Sequence, residues 1–158
     1  MNEIKKILFA TDFSDVSRNA EDRLSGLMDK LGGRLEIVHV FDPDEFNIPG
    51  PYYFMAGLEK WLTDHYDAVR QRSKKALDEL CRKFGDVPGH FEEGQPGKQI
   101  VALAKRLNSD LIVMGTHGHK GWNHFLLGSV AEYVIRRAPC DLWAIKPRVQ
   151  AEPAGDSP

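Results

Sequence analysis

Glycines at 115, 118, 121 and 128 punctuate the stretch MGTHGHKGWNHFLLGSV over 114–130, and Ser129 directly follows the last of them. Glycine adopts positive φ readily and has no Cβ, so backbone built from it can approach a phosphate closely. Gly128-Ser129 stands just ahead of a helical spacing of apolar residues. The first amides of a helix have no partner inside it, and the helix dipole favours an anion there. The plain alternative is a strand-to-helix turn in which Ser129 caps its own helix. Asp12, in the stretch ATDFS, offers a carboxylate that can accept bonds from ribose hydroxyls or approach a Mg²⁺ held by phosphates. Equally, Asp12 or Ser14 could simply cap the helix that follows. His117, His119 and His124 raise the question of chelation, but no fourth ligand is evident and no metal site is assigned. Two familiar phosphate motifs are absent. No Gly-x-Gly-x-x-Gly follows the first apolar run, and Glu92 stands where a P-loop ending in Gly97-Lys98 needs its first glycine.

These groups need a frame. The runs at 6–11 (KILFAT), 35–41 (LEIVHVF) and 111–115 (LIVMG) are short and nearly continuously apolar, which fits strands covered on both faces. Weaker strand candidates lie at 89–93 (GHFEE) and 142–146 (LWAIK). Between them the apolar spacing becomes helical. Val16, Ala20, Leu24, Leu27, Met28 and Leu31 mark a first helix, which Gly32-Gly33 stops. Trp61, Leu62, His65, Val69, Ala76, Leu77, Leu80 and Phe84 mark a long second one. Ile100, Val101, Ala104 and Leu107 mark a third, with Pro96 in its first turn. Val130, Val134, Ile135 and Ala138 mark a fourth, ended before Pro139. Strands alternating with helices predict an α/β fold: an open parallel sheet with right-handed crossovers and helices on both faces. In such sheets ligands bind outside the carboxyl ends of the strands, where the winding reverses. Asp12, Val40 and the glycine loop all fall at such ends.

Composition narrows the class. The chain has 158 residues, 42% apolar and 28% charged, the size and balance of one ordinary globular domain. A net charge of −2 argues against a general nucleic-acid binder. No apolar run reaches membrane-spanning length, and the N-terminal run is too short for a signal-peptide core, so a cytoplasmic protein is expected. Cys81 and Cys140 are far apart and are expected to be reduced and buried. His39 and His65 fall in core patterns and are expected to be packed, while His90 reads as a partly exposed strand residue. The basic stretch at 70–75 reads as a solvated helix face. The connection at 42–57, with three prolines, is expected to be exposed, and 148–158 to be a disordered tail.

Several pieces, in order, resemble the universal stress protein family. They are KKILFATDFS, Leu35-Glu-Ile-Val-His-Val40, Gly94-Gln-Pro96, Asp110-Leu-Ile-Val-Met-Gly115 and the run from Gly128-Ser129 to Cys140. Gly115-x-x-Gly118, nine residues, then Gly128-Ser129 is similar to that family's ATP-binding signature. The resemblance spans roughly residues 2 to 147 and implies one domain over 1–147. It implies a Rossmann-like, adenine nucleotide alpha hydrolase-like fold with five parallel strands in the order 3-2-1-4-5. It also implies a homodimer formed through the last strand, here Leu142, Trp143, Ala144 and Ile145. In the ATP-binding branch the matching residues would form a nucleotide site. Val40 main chain would meet the adenine edge and Asp12 the ribose. Gly115, Gly118 and Ser129 would hold the phosphates, Gly128 would belong to the same site, and Ala10, Thr11, Met114 and Val130 would line the pocket. The implied ligand is ATP, ADP or AMP, with Mg²⁺ carried by the nucleotide near Asp12 and no resident metal. The implied function is regulatory, with little or no hydrolysis and no assigned catalytic residue. The alternatives are a slow ATPase or phosphotransferase, and a nucleotide-free dimeric module. His119 and His124 stand where relatives often carry arginine, so ATP affinity is expected to rise as pH falls from about 8 to 6.

Overall fold

The computed structural model describes residues 3–46, 57–117 and 127–147. Nine regular elements alternate along the chain, beginning with β1 (Lys6–Ala10), α1 (Asp15–Leu31) and β2 (Arg34–Phe41). A 3-10 turn at Pro43–Phe46 follows, then α2 (Leu58–Lys83), β3 (Gly89–Glu93) and α3 (Pro96–Leu107). The chain closes with β4 (Leu111–Gly115), α4 (Ser129–Arg137) and β5 (Asp141–Ile145). The five strands form one sheet in the order β3-β2-β1-β4-β5, and every neighbouring pair is parallel. The winding therefore reverses between β1 and β4.

The alternation of side chains along each strand builds two cores. Ile7, Phe9, Ile37 and Val113 face α1 and α2 through Leu24, Leu77 and Leu80. Leu8, Ala10, Val38 and Ile112 face α3 and α4 through Ile100, Leu103 and Val134. Phe9, Leu8, Leu24 and Leu103 are fully buried, each removal from water stabilising by about 1.5–3 kcal/mol. Helix ends follow local chemistry. Ser14 caps α1, Gly32 ends it in the left-handed conformation, and Pro96 is the first residue of α3. Asp110 anchors the sheet's lower end: its Oδ2 accepts the amides of Lys5 and Lys6, each at 2.9 Å.

Two expectations need correction. The apolar spacing of α2 marks core only in its second half. Leu77, Leu80 and Cys81 are buried, whereas His65 is exposed and Trp61 is 59% exposed, with the two rings stacked 5.2 Å apart. The cause is length: 26 residues make a helix of about 39 Å, longer than the strands beneath it. Cys140 is half-buried rather than buried. The basic stretch is, as expected, a helix face. Arg70 pairs with Glu93 and lies over the Phe91 ring, and Lys75 pairs with Glu79. His90 is half-buried and bonded to Glu36 at 2.6 Å. The segments 47–56, 118–126 and 148–158 lie outside the described residues.

Candidate functional site

The carboxyl ends of β1, β2 and β4 and the start of α4 enclose a cleft of about 950 Å³ at the point where the winding reverses. That volume suits a drug-sized or nucleotide-sized ligand. Nine of the ten residues singled out in the sequence line it: Ala10, Thr11, Asp12, Val40, Met114, Gly115, Gly128, Ser129 and Val130. Gly118 lies outside the described residues, as do His119, Lys120 and His124.

The β1 side is a tightly bonded turn. Thr11 continues the ladder, its amide donating to Val38 carbonyl at 3.0 Å. Its own carbonyl lies 2.9 Å from His39 Nδ1, which must carry the proton to meet an acceptor. Its Oγ1 accepts the Phe13 amide at 3.0 Å. Phe13 has φ +61°, a left-handed conformation that a bulky residue adopts only under constraint. The Phe13 ring packs 4.6 Å from the His39 ring, which supplies part of that constraint. Ser14 then caps α1, accepting the Ser17 amide at 3.3 Å. Asp12 is not the cap. Its Oδ1 accepts the Ser14 amide at 3.0 Å and the Ser17 hydroxyl at 2.6 Å. The helix-capping role that the sequence left open between Asp12 and Ser14 belongs to Ser14.

On the β2 side, the β1–β2 register ends at Ala10↔Val38, so Val40 lies two residues past the ladder at the cleft. Phe41 and Phe46 stack at 5.4 Å and close this wall, with Asp42 and Glu45 beside them.

The opposite wall belongs to β4 and α4. Gly115 has a second reason to be glycine: a Cβ there would sit 2.8 Å from Val16 Cγ1, where α1 crosses β4. Thr116 donates its amide to Ile145 carbonyl at 2.9 Å, and Gly128 donates to Thr116 carbonyl at 2.9 Å, so the two ends of the loop are tied together. Thr116 Oγ1 also lies 2.8 Å from His117 Nδ1. Gly128, not Ser129, is the N-cap of α4, and no side chain caps that end. Ser129 is instead the first helical residue. By helix geometry the amides of Ser129, Val130 and Ala131 have no partner within the helix, and all three residues line the cleft. The cleft is thus electrostatically divided. Carboxylates stand on the β1–β2 side and a bare positive helix end on the other. Among the described lining residues none is lysine or arginine.

Residues 3–146 match the family model of the universal stress protein family. The chain belongs to that family. It is 34% identical over 149 residues to universal stress protein A homolog 1 of Coxiella burnetii, covering 89% of this chain and 95% of the relative. Its fold is that of the solved structure of the hypothetical protein MJ0577, with a TM-score of 0.80 at 24% identity over 94% of this chain and 100% of the other. A solved universal stress protein in complex with cAMP gives a TM-score of 0.57 at 24% identity, covering 92% of this chain and 98% of that one.

In this universal stress protein several cleft residues escaped the sequence reading. Phe13, Ser17, His39, Phe46 and Thr116 all line the cavity. Ser17 had a faint signal, a second serine one turn after Ser14; the aromatic ones carried none, because their role depends on strands meeting side by side. His39 is buried, as expected, but it borders the cleft as well as the core. Among the described residues no group of three or more His, Cys, Asp or Glu is placed to hold a metal ion. No described helix is long and apolar enough to cross a membrane. Cys81 and Cys140 are free, and burial pushes both thiols above the usual cysteine range. The folded state therefore favours the protonated thiols, a contribution present at neutral pH and lost as pH rises beyond about 8.5 through the folded values.

Proposed function

We propose that this universal stress protein binds ATP or AMP in the cleft as a regulatory homodimer, with little or no hydrolysis. The observation that carries this reading is the uncapped start of α4, which opens onto the same cleft as the carboxylate of Asp12. A nucleotide has the same polarity: a neutral base and diol at one end, an anionic tail at the other. Val40 main chain then meets the adenine edge and Asp12 the ribose. Ala10, Thr11, Met114 and Val130 line the pocket. The phosphates lie against Gly115, Gly118, Gly128 and Ser129, where bare amides and the helix dipole favour an anion. In a protein of this fold the bound ligand is cAMP, an adenine nucleotide. Mg²⁺ would be carried by the phosphates rather than by a site of its own, with the Asp12 carboxylate as the protein group that could approach it.

The described cleft also favours holding over turning over. Rapid phosphoryl transfer needs a positioned nucleophile and a cation on the developing charge. The candidate base is the carboxylate of Asp12, and its Oδ1 is already engaged by Ser14 and Ser17. Residues 1–147 are read as one domain working in the cytoplasm, where Cys81 and Cys140 stay reduced.

The test is direct. Purified protein is denatured and the supernatant chromatographed for nucleotide, and the native protein is titrated with millimolar ATP-Mg²⁺ in a thermal-shift assay. Released adenine nucleotide, or a rise of several degrees in Tm, is expected. Neither being seen would leave a nucleotide-free module. Phosphate release well above about one turnover per second would instead make the protein an enzyme.

A further inference from the structure

Ser17 is a buried polar residue with a local alternative. It sits in the first turn of α1, 4% exposed, where alanine would serve the helix at least as well. A buried hydroxyl is retained without cost only when it is bonded. This one donates to Asp12 Oδ1 at 2.6 Å, the short length of a charge-assisted bond. The Asp12 amide in turn approaches Ser17 Oγ at 3.4 Å. The Ser14 amide reaches the same carboxylate oxygen from the other side at 3.0 Å. The left-handed Phe13 between them sets the turn that makes both bonds possible.

We infer that Ser17 is a positioning residue that locks the Asp12 carboxylate for recognition of a ribose diol, so that this cleft selects ribonucleotides over deoxyribonucleotides. The inference rests on the nucleotide reading of the cleft. An aspartate's terminal torsion is broad and roughly two-fold, so an unheld carboxylate samples many planes. A diol is gripped well only by a carboxylate whose plane is fixed beforehand, because ordering it at binding subtracts from affinity. Ser17 supplies that fixing from within the protein, through its bond to Asp12 Oδ1.

The experiment measures dissociation constants of the full chain for ATP and for 2′-deoxy-ATP by calorimetry. Wild type should prefer ATP by about tenfold, the range of one hydrogen bond to a charged group. Ser17→Ala should bind ATP several-fold more weakly and 2′-deoxy-ATP almost unchanged, so that the preference collapses. A merely structural role would weaken both ligands together. Ser17→Cys, close in shape but with a weak S–H donor, is the second variant and should lose most of the preference with the fold intact. A full ATP preference in either folded variant overturns the inference and leaves the nucleotide site standing. Equal binding of the two ligands by wild type overturns it as well. Wild type binding neither ligand overturns the nucleotide reading and this inference together.

Discussion

At the scale of single residues, the β1–α1 turn shows how much one short stretch is asked to do. Thr11, Asp12, Phe13, Ser14 and Ser17 exchange hydrogen bonds that end a strand, start a helix and aim a carboxylate. Asp12 uses the backbone amide of Ser14 and the cap uses its side chain, which also approaches the Ser17 hydroxyl at 3.4 Å. Ser14→Ala should therefore lower stability by about 1 kcal/mol, the usual loss of a serine cap. A urea midpoint unchanged from wild type would show that Ser14 is not the cap. The type and spacing of Asp12 and Ser14 were legible in the sequence, but the division of labour between them was not. Both residue types cap helices, and only the three-dimensional turn shows that the Ser14 hydroxyl reaches the Ser17 amide while Asp12 reaches back toward the cleft.

At the scale of elements, glycine positions separate packing from freedom. Gly97 lies where α3 crosses α4, and an added Cβ would meet Tyr133 Cβ at 2.9 Å and Cδ1 at 2.8 Å. The Tyr133 Cβ cannot swing aside. Gly26 lies on α1 with nothing within 4 Å of such an atom. Alanine is favoured over glycine in a helix by about 1 kcal/mol, whereas forced overpacking costs about 1–3 kcal/mol. Gly26→Ala should thus raise the unfolding midpoint and Gly97→Ala should lower it, both read by thermal or urea denaturation; shifts of the same sign would refute the packing account. Helix existence was legible because apolar spacing is local. The exposure of Trp61 and His65 was not, because it depends on how far α2 overshoots the strands it covers.

At the scale of the whole molecule, the two sheet edges differ. On β3, His90 bonds Glu36, Glu92 pairs with Arg106 and Glu93 pairs with Arg70, so that edge is lined with ion pairs. On β5 the charge is confined to Asp141 at its start; Leu142, Trp143, Ala144 and Ile145 carry none, and Leu142, Trp143 and Ala144 are half-buried. Charge on an edge strand discourages pairing, and its lack invites it. This contrast supports the proposed homodimer through β5. Ala144→Lys should convert a dimer into a monomer in sedimentation while leaving the helical circular dichroism signal intact. A wild-type protein already monomeric at micromolar concentration, or a variant still dimeric, would refute β5 as the interface.

The order of elements and the parallel sheet were written locally, in short continuous apolar runs and in apolar residues recurring at period 3.6, because both patterns are properties of neighbours in sequence. The glycine spacing ahead of α4 was equally readable, since a glycine's freedom belongs to the residue itself. Which groups meet was decided only by closure of the sheet. That closure set Gly115 against Val16, His39 against the Thr11 carbonyl, and an uncapped α4 across a cleft from Asp12. Such contacts join segments tens of residues apart, and no pattern within a segment encodes its distant neighbour.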